Sequence, residues 1–297
     1  MKMLFATDGS EHSERAAKFL TLLNWSPDDN ITVFHAAYWI PFRYDEEFYL
    51  GTLKEIKKEI ATRILDSALD ILKPVKAKIS VSIVEGSPEL CIVDSAADAD
   101  MDMIVMGSRG IKGIESVFIG SVTRSVVINA AKPVLVVKTP IFSKSGKIKI
   151  LLATDGSDYA QTTAEFLCSF PFPDNTEVTI LNVIWSNIFD IPARFVMDTD
   201  ELIKNLEAGT KTMEFTSSEK IIAPVREHLN KRFENIHVLS KVGDPSTEIL
   251  KTAETIGADM IAVGCRGLRG IKGMMGSVSR NILTHAKSSV LIGKTER

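Results

Sequence analysis

The sequence predicts an α/β protein built twice over, each half a parallel sheet with helices on both faces. Three observations lead there: strand-like and helix-like stretches alternate, the strands are filled with Val, Ile and Leu nearly without polar alternation, and the whole pattern occurs twice. Strands covered on both faces need such continuous apolar runs, and right-handed helical crossovers join parallel neighbours. A length of 297 residues suits two domains of ordinary size, each able to bury its own core.

Every element of one half has a partner in the other. The first strand, Met3-Leu-Phe-Ala6, runs into Thr7-Asp8-Gly9-Ser10, and Ile150-Leu-Leu-Ala153 runs into Thr154-Asp155-Gly156-Ser157. A short helix follows, containing Ala17-Lys-Phe-Leu20 or Ala164-Glu-Phe-Leu167, and then a second strand over 31–35 or 178–182. The third strands end in Gly86-Ser-Pro88 and Gly243-Asp-Pro245, where proline opens a helix because its missing N–H would be an orphan donor there anyway. The fourth strands, 103–106 and 260–263, lead into Gly107-Ser-Arg-Gly110 with Gly120-Ser121, and Gly264-Cys-Arg-Gly267 with Gly276-Ser277. A helix and a last strand, 133–137 or 289–292, complete each copy.

Matching residues are offset by 147 positions at Asp8 and Asp155 but by 157 at Gly86 and Gly243, so the second copy carries an insertion between its second and third strands. That variable stretch covers 39–73 in the first copy, with Leu53, Ile56, Ile60, Ile64 and Leu65 at helical spacing, and 185–232 in the second. The short, polar and basic segment 142–147 reads as a linker, giving domains over 1–142 and 147–297.

Composition narrows the function. With 35 basic and 38 acidic side chains the net charge is -3, and no basic stripe marks a nucleic-acid surface. Apolar runs are strand-length, below the ~20 residues that span a bilayer. The chain enters its first strand without a signal-peptide pattern, so a cytoplasmic location without membrane attachment is expected. Cys91, Cys168 and Cys265 lack pair spacing, and the five histidines lack ligand spacing, so neither a disulfide frame nor a metal site is expected. Asp98, Asp100 and Asp102 read as the end of a helix, since the other copy offers only Ala258-Asp259 there.

The candidate chemistry lies in the glycine segments and the Asp-Gly-Ser turns. Glycines at a strand-to-helix junction let backbone N–H groups approach a phosphate, and the following helix adds a positive terminus. Asp8 and Asp155 have two compatible readings, a helix N-cap or a carboxylate accepting from ribose or adenine donors. Arg109, Lys112, Arg266 and Lys272 are either solvated loop charges or neutralise a phosphate tail. No Gly-x4-Gly-Lys-Ser/Thr loop exists, so efficient nucleotide hydrolysis is not predicted, and Ser10, Ser157 and Cys265 have no recognisable base.

At these residues the chain resembles a tandem universal stress protein, whose nucleotide-binding members carry Gly-x2-Gly-x9-Gly-Ser/Thr; Gly107, Gly110, Gly120 and Ser121 match that spacing in full. The resemblance implies two Rossmann-like domains, each a five-stranded parallel sheet in the order 3-2-1-4-5. It implies a first nucleotide site of Ala6, Thr7, Asp8, Ala36, Met106, Gly107, Arg109, Gly110, Gly120, Ser121 and Val122. A second, weaker site would comprise Ala153, Thr154, Asp155, Val183, Val263, Gly264, Gly267, Gly276, Ser277 and Val278. The weakness is expected because eight residues rather than nine separate Gly267 from Gly276. A loop one residue short reaches about 3.5 Å less far and is expected to displace Gly276-Ser277. Valine at Gly120 is expected to abolish binding by blocking phosphate. The implied ligand is ATP or AMP, with Mg²⁺ a companion of ATP, bound by a stress-response protein whose occupancy modulates a partner, with slow ATP hydrolysis at most. An ATP-using enzyme and an adaptor with vestigial sites stand as alternatives. The resemblance further implies pairing of the two last strands as an intrachain pseudo-dimer, and leaves room for a homodimer of whole chains.

Overall fold

The computed structural model describes residues 1–37, 47–110, 119–138, 146–185, 216–268 and 274–295; the side chains of 47–50 and 52–54, Leu53 among them, lie outside the description. The chain divides into two compact units, one of Met1–Ile141 with Phe170–Pro173 and Lys287–Arg297, the other of Phe142–Ser169 with Asp174–Ala286.

In the first unit the elements run β1 (Lys2–Ala6), α1 (Glu11–Leu20), β2 (Asn30–Ala37), α2 (Glu47–Leu72), β3 (Lys78–Glu85), α3 (Pro88–Asp98), β4 (Met103–Gly107), α4 (Ser121–Asn129) and β5 (Val134–Val137). The strands lie in the order β3-β2-β1-β4-β5, all parallel, as the resemblance implies. β1, β4 and β5 are buried apart from Lys2, which is why their sequences are unbroken runs of apolar residues. β3 is more exposed because it ends the sheet. Helices flank the sheet in pairs, α1 with α2 and α3 with α4. β10 (Ser289–Gly293) also belongs to this unit and runs antiparallel to β5, with Val290 opposite Val136 and Ile292 opposite Val134.

The second unit repeats the order with β6 (Lys149–Ala153), α5 (Asp158–Ser169), β7 (Glu177–Ile184), α6 (216–229), β8 (Asn235–Val242), α7 (Pro245–Ile256), β9 (Met260–Gly264) and α8 (Ser277–His285). Its parallel order is β8-β7-β6-β9. Pro88 and Pro245 each open their helix, and α7 is capped at its start by Asp244, whose Oδ1 accepts from Thr247 N at 2.8 Å. Gly257 ends α7 with φ +61, a left-handed turn that favours glycine.

The variable stretch of the first copy forms α2 as its periodicity predicts, with one correction to the face. Ala61, Leu65, Ala68 and Leu72 are buried, whereas Ile56 and Ile60 are about half exposed at 48% and 51%. The small alanines make the close contact. Ile64 backs the Asp8-Gly9 turn, since a Cβ on Gly9 would lie 2.9 Å from its Cγ1, and Ile221 of α6 backs Gly156 in the same way at 3.3 Å.

Candidate functional site

In both units the site is assembled where the strands end. β1 delivers Thr7 and Asp8 between β2 and β4, and Thr7 N donates to Phe34 O at 2.9 Å, carrying the sheet one residue past the strand. Asp8 Oδ1 accepts from Ser10 N at 3.1 Å, closing a turn on the aspartate side chain, with Gly9 at φ +76 inside it. Ser13 N donates to Ser10 Oγ at 3.3 Å, so Ser10 caps α1 and the capping reading of Asp8 falls. The other unit repeats this: Ser157 N donates to Asp155 Oδ1 at 3.0 Å, Gly156 has φ +80, and Ser157 Oγ accepts from Ala160 N at 3.3 Å.

The glycine segment comes to the same place. Ser10 Oγ donates to Arg109 O at 3.3 Å, tying the aspartate turn to the loop after β4, and Ser157 Oγ reaches Arg266 O at 3.5 Å. Asp8 Oδ2 lies against Gly110, where an added Cβ would be 2.5 Å from it, and an added Cβ on Gly267 would come closer still to Asp155 Oδ2. Leu268 N donates to Asp155 Oδ2 at 3.0 Å. These two glycines therefore face the carboxylates directly.

Gly107 and Gly264 have a different reason to be glycine. A Cβ on Gly107 would lie 2.6 to 2.8 Å from the backbone of His12 and Ser13, and one on Gly264 would lie 2.8 to 3.0 Å from Tyr159 and Ala160. The first turn of α1 or α5 rests on the end of the fourth strand. Gly120 opens α4 without a side-chain cap, at φ -61 and ψ 150, a conformation open to any residue. Its Cβ would lie 3.3 Å from Arg109 Cα, so a valine there would press on the loop's own backbone rather than stand directly in the way of phosphate, a correction to the expected cause.

The shortened loop does not displace the second helix start, which corrects the sequence expectation. Gly120 N donates to Ser108 O at 3.0 Å and Gly276 N to Cys265 O at 2.9 Å. Thr123 Oγ1 donates to Gly107 O at 3.0 Å and Ser279 Oγ to Gly264 O at 2.6 Å. Gly276 has φ -62 and ψ 152, matching Gly120. The difference in length falls between Gly267 and Gly276, within which 269–273 lie outside the described residues, as do Lys112, Lys272 and 111–118. Arg266 spans this interval, donating from Nε to Met274 O and from a terminal nitrogen to Tyr159 Oη, both at 2.8 Å, with its guanidinium 5.2 Å above the Tyr159 ring.

Ala6, Met106 and Val263 are buried at the strand ends; Ala36, Val183, Arg109, Val122, Ala153 and Val278 are half-buried around them, and Ser121 and Ser277 are exposed at the helix starts. The sequence reading missed five contributors: Ser10 as a bridge, Thr123 and Ser279 as tethers, and His35 and Asn182, which follow Phe34 and Leu181. His35 Nδ1 lies 2.9 Å from Thr7 O, and Asn182 Nδ2 donates to Thr154 O at 2.7 Å. The tethers were visible as Ser-Val-Thr-Arg and Ser-Val-Ser-Arg in the two copies. Among the described residues no group of three or more His, Cys, Asp or Glu is placed to hold a metal, and no helix is long and apolar enough to cross a membrane.

Basic groups around the first site are electrostatically crowded. Burial, then Arg15 and Arg109, push His12 below its ordinary value, and its Nδ1 lies 3.3 Å from Ser108 Oγ. Lys138, just past β5, is pushed down to about 8 by burial and by Arg109. Below that pH the folded chain holds an ammonium that burial disfavours. Between about pH 8 and 10.5 the folded state has shed the proton while the unfolded state keeps it, so this group makes stability rise with pH. Lys138→Met is expected to raise stability at neutral pH and to remove that rise, read from urea denaturation across the window.

A strand-end carboxylate facing a glycine loop, with an uncapped helix start beside it, is doubled in this chain and defines a tandem α/β protein with the same strand-end arrangement in each half. The chain belongs to the universal stress protein family, whose model matches residues 1–138 and again 148–294. Universal stress protein MJ0531 of Methanocaldococcus jannaschii is 34% identical over 147 residues, covering 47% of this chain and 82% of the relative. A universal stress protein of Mycolicibacterium smegmatis is 22% identical over 98% of this chain and 96% of its own. Among solved structures, a universal stress protein from Archaeoglobus fulgidus superposes with a TM-score of 0.66 at 21% identity, over 99% of this chain and 98% of that one, which supports the fold.

Proposed function

We propose that the chain binds an adenine nucleotide, ATP or AMP, in each repeat, and that occupancy alters the glycine loops and thereby a partner's binding. The observation that carries this reading is the approach of Gly110 to Asp8 Oδ2, and of Gly267 to Asp155 Oδ2, beside a helix start without a side-chain cap. The carboxylate asks for hydroxyl or amine donors, and the N–H groups that open α4 and α8 ask for an anion. A nucleotide carries both on one molecule. Ala36 and Val183, at the ends of β2 and β7, supply the wall for a base, and Ser121 and Ser277 add hydroxyls toward phosphate. Mg²⁺ would accompany ATP through its phosphates. The equal anchoring of Gly120 and Gly276 supports a second site as well formed as the first.

Denaturing the purified protein and identifying released small molecules by mass tests the reading: an adenine nucleotide is expected, and none, with no uptake of added ATP or AMP, would favour the adaptor alternative. Incubation with ATP separates a binding protein from an enzyme by whether ADP, or AMP with pyrophosphate, accumulates.

A further inference from the structure

The two sites share a frame but differ in one side chain near the end of the second strand of each repeat, His35 in β2 and Asn182 in β7. A backbone carbonyl only accepts, so His35 presents Nδ1–H to Thr7 O, and Asn182 presents its amide N–H to Thr154 O. Asn182 is 3% exposed, and its Oδ1 is the buried side-chain atom without a hydrogen-bond partner among the described residues. Turning the amide over brings no relief, since Oδ1 would then face the Thr154 carbonyl. Buried acceptors are nearly always paired, and an orphan calls for a donor from outside the chain. This one is held at the tips of β6 and β7, by the residue from which Asp155 departs.

We infer that Asn182 Oδ1 accepts a hydrogen bond from an amine or hydroxyl of the nucleotide in the second site, making Asn182 a specificity-determining residue of that site. The inference rests on the nucleotide reading above. Two acceptors, Asp155 and Asn182, stand together at these strand ends, so the donor-rich nucleoside end of the ligand lies there and the phosphates lie toward Gly276. A buried acceptor built to read a donor rejects an analogue that lacks it, because the acceptor is left unpaired.

The test is calorimetric titration of the full chain, carrying Gly110→Val to silence the first site, with ATP, with purine riboside triphosphate, which lacks the amine, and with dideoxy-ATP, which lacks the ribose hydroxyls. With Asn182 present, one analogue is expected to bind about tenfold or more weaker than ATP; with Asn182→Leu that preference disappears. Asn182→His, which keeps a donor to Thr154 O as His35 does for Thr7, gives a second reading if the leucine variant does not fold, and is expected to lose the same preference because its acceptor moves. An unchanged preference in a folded variant, or no preference with Asn182 present, overturns the inference and leaves the nucleotide reading standing. No binding of ATP to the second site overturns both.

Discussion

Gly110→Val lowers nucleotide affinity at the first site by about 100-fold or more while the protein stays folded. Its Cβ would lie 2.5 Å from Asp8 Oδ2, so the carboxylate must turn away from the loop or the loop from it. Either movement separates the donor-seeking carboxylate from the N–H groups that open α4. Losing one or two charge-assisted hydrogen bonds at about 1.5–3 kcal/mol each accounts for that fold-change. Stability is little affected because Gly110 is exposed. Gly267→Val is the matching change in the second repeat. Titration calorimetry beside a thermal melt checks both, and wild-type affinity in folded Gly110→Val would remove the Asp8–Gly110 approach from the binding site.

Gly107→Val has its effect on the fold, destabilising the first unit by about 3 kcal/mol or more. The added carbons have no flexible neighbour to push aside, for they meet the backbone of His12 and Ser13 at 2.6 to 2.8 Å. α1 must lift from the end of β4, and with it the Thr7, Asp8 and Ser10 turn that α1 continues. Gly264→Val acts on α5 in the same way through Tyr159 and Ala160. Gly120→Ala, whose Cβ would be 3.3 Å from Arg109 Cα, asks for a shift of only tenths of an ångström. Denaturant unfolding of Gly107→Val and Gly120→Ala is expected to separate them by about 2 kcal/mol or more; equal stabilities would show that α1 does not rest on Gly107 as described.

The same glycines mark what was legible in the sequence. Their doubling, with the Val-, Ile- and Leu-filled strands, was enough for a parallel sheet covered by helices, because buried strands joined by right-handed crossovers leave few arrangements; the order of the strands came from the family resemblance. It was not enough to say which glycine serves packing and which serves a ligand, since that depends on what an absent Cβ would touch. Asp8 had the spacing of a cap, yet Ser10 two residues on takes that role, and Asp8 closes the turn before it. The shortened loop was read as a displacement because chain length was counted alone; Ser279 Oγ on Gly264 O and Gly276 N on Cys265 O hold the helix start in place. In α2 the periodicity was sound, but alanines 61 and 68, rather than Ile56 and Ile60, sit in the interface, where small side chains allow close approach. Asn182 gave no signal beyond its difference from His35, because an orphan acceptor is visible only once its surroundings are built.

If each repeat presents a strand-end carboxylate and a helix start to one nucleotide, calorimetric titration of the intact chain with ATP reads both sites at once. Two molecules bound per chain, one lost in Gly110→Val and the other in Gly267→Val, is the predicted result; no binding, or binding that neither substitution weakens, would contradict it.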